Sequence, residues 1–133
     1  MFGLKQAGTL VRFTPDGYSV IGANKAGNLL VWDLATGETT FAVHLSNDKI
    51  SDLVFLDNET AVVSSYDGTL YIVNFRVPEI QPDISEGKVK TAISPYCLGK
   101  LELGSKITKL LLVSKTIYAV TGDHIVEISY QNN

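Results

Sequence analysis

Short runs rich in Val, Ile, Leu, Thr and aromatic residues, each closed by Gly, Asp, Asn or Pro, follow one another along most of the chain. Leu10-Val11-Arg12-Phe13 leads into Thr14-Pro15-Asp16-Gly17, where Pro presets φ and Gly accepts a positive φ without steric cost. Runs at 18–23 and 28–33 flank a second turn, Asn24-Lys25-Ala26-Gly27, and Ala35-Thr36-Gly37 turns into a fourth run at 38–43. These segments are too short for stable helices and are punctuated at strand spacing, so the pattern predicts antiparallel β-sheet. No long segment carries a helical period.

The same order recurs. Runs at 50–55, 60–65 and 69–74 are separated by turns at Asp57-Asn58 and Asp67-Gly68, and runs at 107–113, 116–121 and 124–129 by Ser114-Lys115 and Gly122-Asp123. Phe13 aligns with Phe55 and Gly27 with Gly68, a period of about 41–42 residues, the length of one four-stranded propeller blade. The second unit carries an insertion of about 15 residues relative to the first. It is placed at 76–95, where Pro78 and Pro82 would interrupt a ladder. The strand pattern resumes at 96–103, where Leu101 and Leu103 alternate with Lys100 and Glu102.

Phe13-Thr14-Pro15-Asp16-Gly17 and Val31-Trp32-Asp33-Leu34-Ala35-Thr36-Gly37-Glu38 resemble the first turn, third strand and signature dipeptide of WD40 repeats. The resemblance is strong over 9–75 and weak over 100–130; Val73-Asn74 and Ile128-Ser129 stand where the later dipeptides would be. It implies an all-β fold of about three four-stranded antiparallel blades of a WD40-like β-propeller, in a single domain over 1–133. Unit one spans about 9–43, unit two about 50–103 and unit three about 106–130. The resemblance also implies a hydrogen-bonded set in each blade, made of a Trp, a Ser or Thr, an Asp and a His. Unit one has Trp32 but Ala26 at the Asp position; unit two has Ser65 and Asp67, with His44 as the His and Val73 replacing the Trp. The expected structural residues are Asp16, Gly17, Trp32, Asp33, His44, Ser65, Asp67 and Gly68.

Unit three reaches Tyr130-Gln131-Asn132-Asn133 without a fourth strand, and Phe2-Gly3-Leu4-Lys5-Gln6 precedes the first strand. Closed propellers have about four to eight blades, so three form an incomplete ring unless self-association, a partner or further sequence completes it. Phe2, Leu4, Arg76, Lys88 and Lys90 are candidate interaction residues. Ser94, before Pro95, is a candidate phosphorylation site whose added charge could pair with Lys88 or Lys90.

Composition narrows the function classes. With 45% hydrophobic and 19% charged residues the chain is expected to fold, and a net charge of -3 offers no cationic surplus for a phosphate backbone. The lone Cys97 cannot form an internal disulfide, and no apolar run approaches the roughly 18 residues that span a bilayer. An intracellular protein, cytoplasmic or nuclear and without membrane contact, is expected.

Catalytic patterns are weak. Gly22 to Gly27 mimics a phosphate loop but is followed by Asn28-Leu29 in place of Lys and Ser or Thr, His44 and His124 lack companion metal ligands, and Gly104-Ser105 is no nucleophile elbow. The acidic pairs Asp57 with Glu59 and Asp48 with Asp52 lie in or near exposed turns and read as solvated rather than catalytic. No cofactor or metal is expected, and a ligand or enzyme site in a propeller channel is disfavoured because Leu10, Phe13, Leu53, Phe55 and Leu110 to Leu112 would line it. The expected function is a non-catalytic scaffold or adaptor for protein–protein interactions, completed by a protein partner or a second copy. The alternative is an RNA-associated scaffold subunit.

Overall fold

The computed structural model of the chain describes residues 8–76, 97–122 and 124–129. Their regular structure is entirely β, in the order that the turn pattern predicts. The first sheet contains β1 (Gly8–Phe13), β2 (Ser19–Asn24), β3 (Asn28–Asp33) and β4 (Thr39–His44). The second contains β5 (Ile50–Phe55), β6 (Thr60–Ser65), β7 (Thr69–Asn74) and β8 (Cys97–Glu102), and the third β9 (Ile107–Val113), β10 (Thr116–Thr121) and β11 (Ile125–Ser129). Every pairing is antiparallel between sequence neighbours.

Successive sheets meet through their first strands, β1 beside β5 and β5 beside β9. Stacked antiparallel sheets of this kind are propeller blades, and here they form an incomplete stack. All three first strands carry an irregularity at the same register position: between Gly8 and Leu10, between Ile50 and Asp52, and opposite Val120 and Thr121 in β9.

The core lies between sheets. Ile21, Ala23, Leu29, Val31 and Phe41 of sheet one pack against Leu53, Ala61, Val63, Tyr71 and Val73 of sheet two. On the other side of sheet two, Val62 and Leu70 pack against Ile107, Leu110, Ile117 and Ala119 of sheet three. Side chains alternate across a strand, so Val62 and Val63 serve different interfaces. Every residue of β6 is buried, because both faces of its sheet are covered.

Phe13 does not belong to a lined channel, and neither does Leu111. Leu111 alternates with the buried Leu110 and so faces away from sheet two, while Phe13 holds the register position of Phe55, on the face of sheet one away from sheet two; on these outer faces they are 58% and 66% exposed. This corrects the expectation that first-strand apolar residues all line one interior.

Two tight turns explain how successive sheets are held. Gly27 has φ +85, and a Cβ there would collide with the carbonyl of Ser46; Gly68 has φ +94, and its Cβ would lie 2.7 Å from the carbonyl oxygen of Ser105. Each glycine carbonyl then accepts from the link to the next sheet, Gly27 from the Leu45 amide at 2.9 Å and Gly68 from the Leu103 amide at 2.8 Å. A side chain would be strained by its φ and would also push the link away.

Leu29→Ala, in the fully buried interface between sheets one and two, is expected to lower unfolding free energy by about 2–5 kcal/mol. Leu98→Ala, at an exposed position of the edge strand β8, should change it by less than about 0.5 kcal/mol. Urea unfolding monitored by far-UV circular dichroism measures both.

Candidate functional site

The β2–β3 turn and its equivalents solve one problem with different residues. In unit one, Asn24 is buried and its Oδ1 accepts from the amides of Ala26 at 3.0 Å and Asn28 at 2.9 Å, so Ala26 is spared the acceptor role. In unit two that work is divided. Asp67 Oδ1 accepts from the Thr69 amide at 3.0 Å, and the Ser65 hydroxyl accepts a long bond from the Asp67 amide at 3.4 Å. In unit three, both the amide and the hydroxyl of Thr121 donate to the His124 carbonyl at 2.9 Å.

The residue completing the unit-two set is Ser46. Its hydroxyl is 2.7 Å from that of Ser65 and donates to Asp67 Oδ2 at 3.1 Å. His44 sits at the exposed end of β4, with Nδ1 2.8 Å from Asn28 Oδ1 and Nε2 3.1 Å from Asn47 Oδ1. The expectation that His44 joins Ser65 and Asp67 is therefore corrected: β4 carries it onto the Asn28 side, and the chain reaches the set two residues later. Burial pushes the Asp67 carboxyl up, but donation from Thr69 and from Ser46 and Ser65 outweighs it and holds the group below its ordinary 3.8.

The other expected residues fall in turns or in the core. Asp16 Oδ1 accepts from the Thr14 hydroxyl at 2.7 Å and the Tyr18 amide at 3.0 Å, while Gly17 adopts φ +76. Asp33 Oδ1 accepts from the Ala35 and Thr36 amides at 2.9 and 3.0 Å, and Asn74 repeats this capping in unit two by accepting from the Arg76 amide at 3.0 Å. Trp32 is buried in β3 opposite Val20. Phe2, Leu4, Lys88, Lys90 and Ser94 lie outside the described residues.

Two residues that bind sheets together carried no sequence signal. Asp52, read as a solvated residue near a turn, is instead buried in β5. Its Oδ2 accepts from the Leu110 amide of sheet three at 2.8 Å, and its Oδ1 accepts from the Leu53 amide at 2.8 Å and from Arg12 of sheet one at 3.3 Å. One carboxylate thus touches all three sheets. Arg76, a candidate interaction residue, clamps sheet two to sheet one while remaining partly exposed. It donates to Asp16 Oδ2 at 2.9 Å, to the Ser19 hydroxyl at 3.1 Å and to the Asn58 carbonyl at 3.2 Å. The Tyr18 amide, the Thr14 hydroxyl and then Arg76 hold the Asp16 carboxyl below 3.8 against a smaller opposing effect of burial.

Large apolar side chains are exposed toward the two ends of the stack. Nine large apolar side chains are exposed among the described residues, and seven of them lie on the two ends of the stack. Val11, Phe13, Tyr18 and Leu34 share the face of sheet one that points away from sheet two; Leu111, Val113 and Ile125 share the face of sheet three that points away from sheet two. Beside the edge strand β11, a cleft of about 200 Å³ lies between Leu70, Ile72 and Leu101 of sheet two and Ile117 and Ile128 of sheet three. That is below the roughly 300–1,000 Å³ of ordinary small-molecule sites. Among the described residues no His, Cys, Asp and Glu cluster could hold a metal, and no helix is long and apolar enough to cross a membrane.

No family model and no protein with a curated description matches the chain. Solved structures do. The computationally designed Ika4 protein superposes with a TM-score of 0.74 at 17% identity, over 97% of this chain and 69% of that one. A chain from a structure of the mitotic checkpoint complex superposes with a TM-score of 0.75 at 12% identity, over 96% of this chain and 35% of that one. At these identities the likeness is one of fold, and 487 solved chains share it. This chain spans about a third of the checkpoint-complex chain it matches.

Asp16 and Asp67 titrate below 3.8 when folded, so the folded chain binds fewer protons than the unfolded chain at acid pH. Their contribution to stability is complete well above pH 3.8 and is lost as pH falls through the lower folded values. In a series of urea titrations from pH 7 to pH 2, an Asp16→Asn/Asp67→Asn variant should be less stable at neutral pH and show a flatter acid limb than the parent chain.

Proposed function

We propose that this chain is a non-catalytic interaction module, a segment of WD-repeat-like propeller that acts as a scaffold or adaptor within a larger assembly. The observation that carries the reading is the concentration of exposed Val11, Phe13, Tyr18 and Leu34 at one end of the stack and Leu111, Val113 and Ile125 at the other. Contiguous apolar surface of this kind marks a contact site in a folded protein. The polar side chains that a catalytic site would recruit are occupied: Asn24, Ser46, Asp52, Ser65, Asp67 and Arg76 all bond within the stack. The large apolar side chains exposed at both ends also favour a protein partner over RNA, whose backbone calls for cations. The single Cys97, half-buried in β8, suits a reducing intracellular compartment, cytoplasmic or nuclear.

The test is the native size of the protein. Velocity sedimentation of a gentle extract should place it in an assembly clearly larger than its own chain, and a Phe13→Asp/Leu111→Asp variant should shift to the size of the free chain while keeping its circular dichroism spectrum. If the parent protein sediments as a free chain in its native extract, the scaffold reading fails.

A further inference from the structure

Resting on that reading, we propose that the occupant of both ends is a second copy of this chain, docked head to tail so that the outer face of sheet three in each copy covers the outer face of sheet one in the other. The warrant is register. In each sheet, the face toward the preceding sheet is built from the same paired positions: Val11 opposite Gly22 in sheet one, Leu53 opposite Val63 in sheet two, Leu110 opposite Ala119 in sheet three. One step along the strand, Phe13 opposite Val20 corresponds to Phe55 opposite Ala61 and to Leu112 opposite Ile117. In sheets two and three these residues are packed against the preceding sheet. In sheet one the same positions keep apolar residues, and Val11 and Phe13 are 59% and 66% exposed.

The opposite faces match in the same way. Leu29 opposite Ala23 and Leu70 opposite Ser64 are buried against the following sheet, and their equivalent in sheet three, Ile125 opposite Val120, is 65% exposed. Each chain therefore carries the two halves of one joint at its two ends. A second copy supplies both missing halves with one interface used twice. Six sheets result, within the range of about four to eight in closed propellers, so the heterologous contact closes instead of growing into a fibre.

The new joint differs at one position from the joint between sheets two and three, and the joint between sheets one and two has Leu10, opposite Ala23, there. Asp52, opposite Ser64, reaches forward to the Leu110 amide of the next sheet. Its equivalent in sheet three, opposite Val120, is Lys109. A lysine cannot accept an amide hydrogen, so the joint between copies lacks the carboxylate staple and rests on apolar contact. It opens on dilution while the internal joints stay closed. Lys109→Asp restores the acceptor and directs it at the Val11 amide of the second copy.

Analytical ultracentrifugation of the purified chain tests this. The expected result is a reversible dimer of twice the 14.5 kDa chain mass. Phe13→Asp or Ile125→Asp alone should give folded monomers, and mixing the two variants should restore a heterodimer through the one joint left intact. Lys109→Asp should tighten the dimer about a hundredfold or more, the effect of one hydrogen bond to a charged group at each of the two joints. A monomeric parent chain, an end-face variant that still dimerises, or a mixture that stays monomeric would overturn head-to-tail pairing. If the pure chain is monomeric but the native protein still sediments in a larger assembly, self-pairing fails and the scaffold reading survives.

Discussion

A β-sheet with two apolar faces needs a neighbour on each side, and sheet two is such a sheet. Val62 and Leu70 look one way, Val63 and Tyr71 the other, and all four are buried. The rest of the stack is arranged to satisfy this requirement. Sheet one offers Ile21, Leu29, Val31 and Phe41; sheet three offers Ile107, Leu110, Ile117 and Ala119. Burial of this kind is non-directional and would tolerate sliding. Asp52 adds direction, because a buried carboxylate that bonds Arg12 on one side and the Leu110 amide on the other allows a single alignment of three first strands.

The joints also explain why the repeat is clear in spacing and faint in signature. Each β2–β3-type turn needs acceptors for its amides, and the link to the following sheet must dock on that turn. Neither need specifies a residue type. Asn24 alone does what Ser65, Asp67 and Ser46 do together, and Thr121 closes a shorter turn by bonding the His124 carbonyl. Asn74 caps the turn that Asp33 caps one unit earlier. Gly27 and Gly68 are less replaceable, since the backbones of Ser46 and Ser105 occupy the space where their side chains would stand. Geometry is kept from unit to unit while chemistry drifts.

This sets what could be read from the residues alone. Strand existence and order were legible, including β8 beyond the long insertion, because alternation and turn chemistry are local. The role of Asp16 was legible for the same reason: its partners Thr14 and Tyr18 are two residues away. Arg76 and Asp52 were not. Their decisive partners, Asp16 and Leu110, lie 60 and 58 residues distant and arrive only when sheets stack. The replacement of His44 by Ser46 was hidden for a smaller reason. A turn and a link of unknown length separate β4 from β5, and a shift of two residues decides which side chain meets Asp67. Phe13 was misplaced because a strand pattern shows that residues alternate without showing which neighbour each face will meet.

In the proposed pairing, Lys109 stands where Asp52 staples sheet two to sheet three. The internal joints connect sheets tethered by short links, so their closure costs little chain entropy and Asp52 serves mainly to fix alignment. A joint between two molecules must also overcome lost translational and rotational freedom, several kcal/mol or more. Omitting the staple there leaves an interface whose occupancy follows concentration, and that same face is then open to any other chain presenting a comparable apolar sheet.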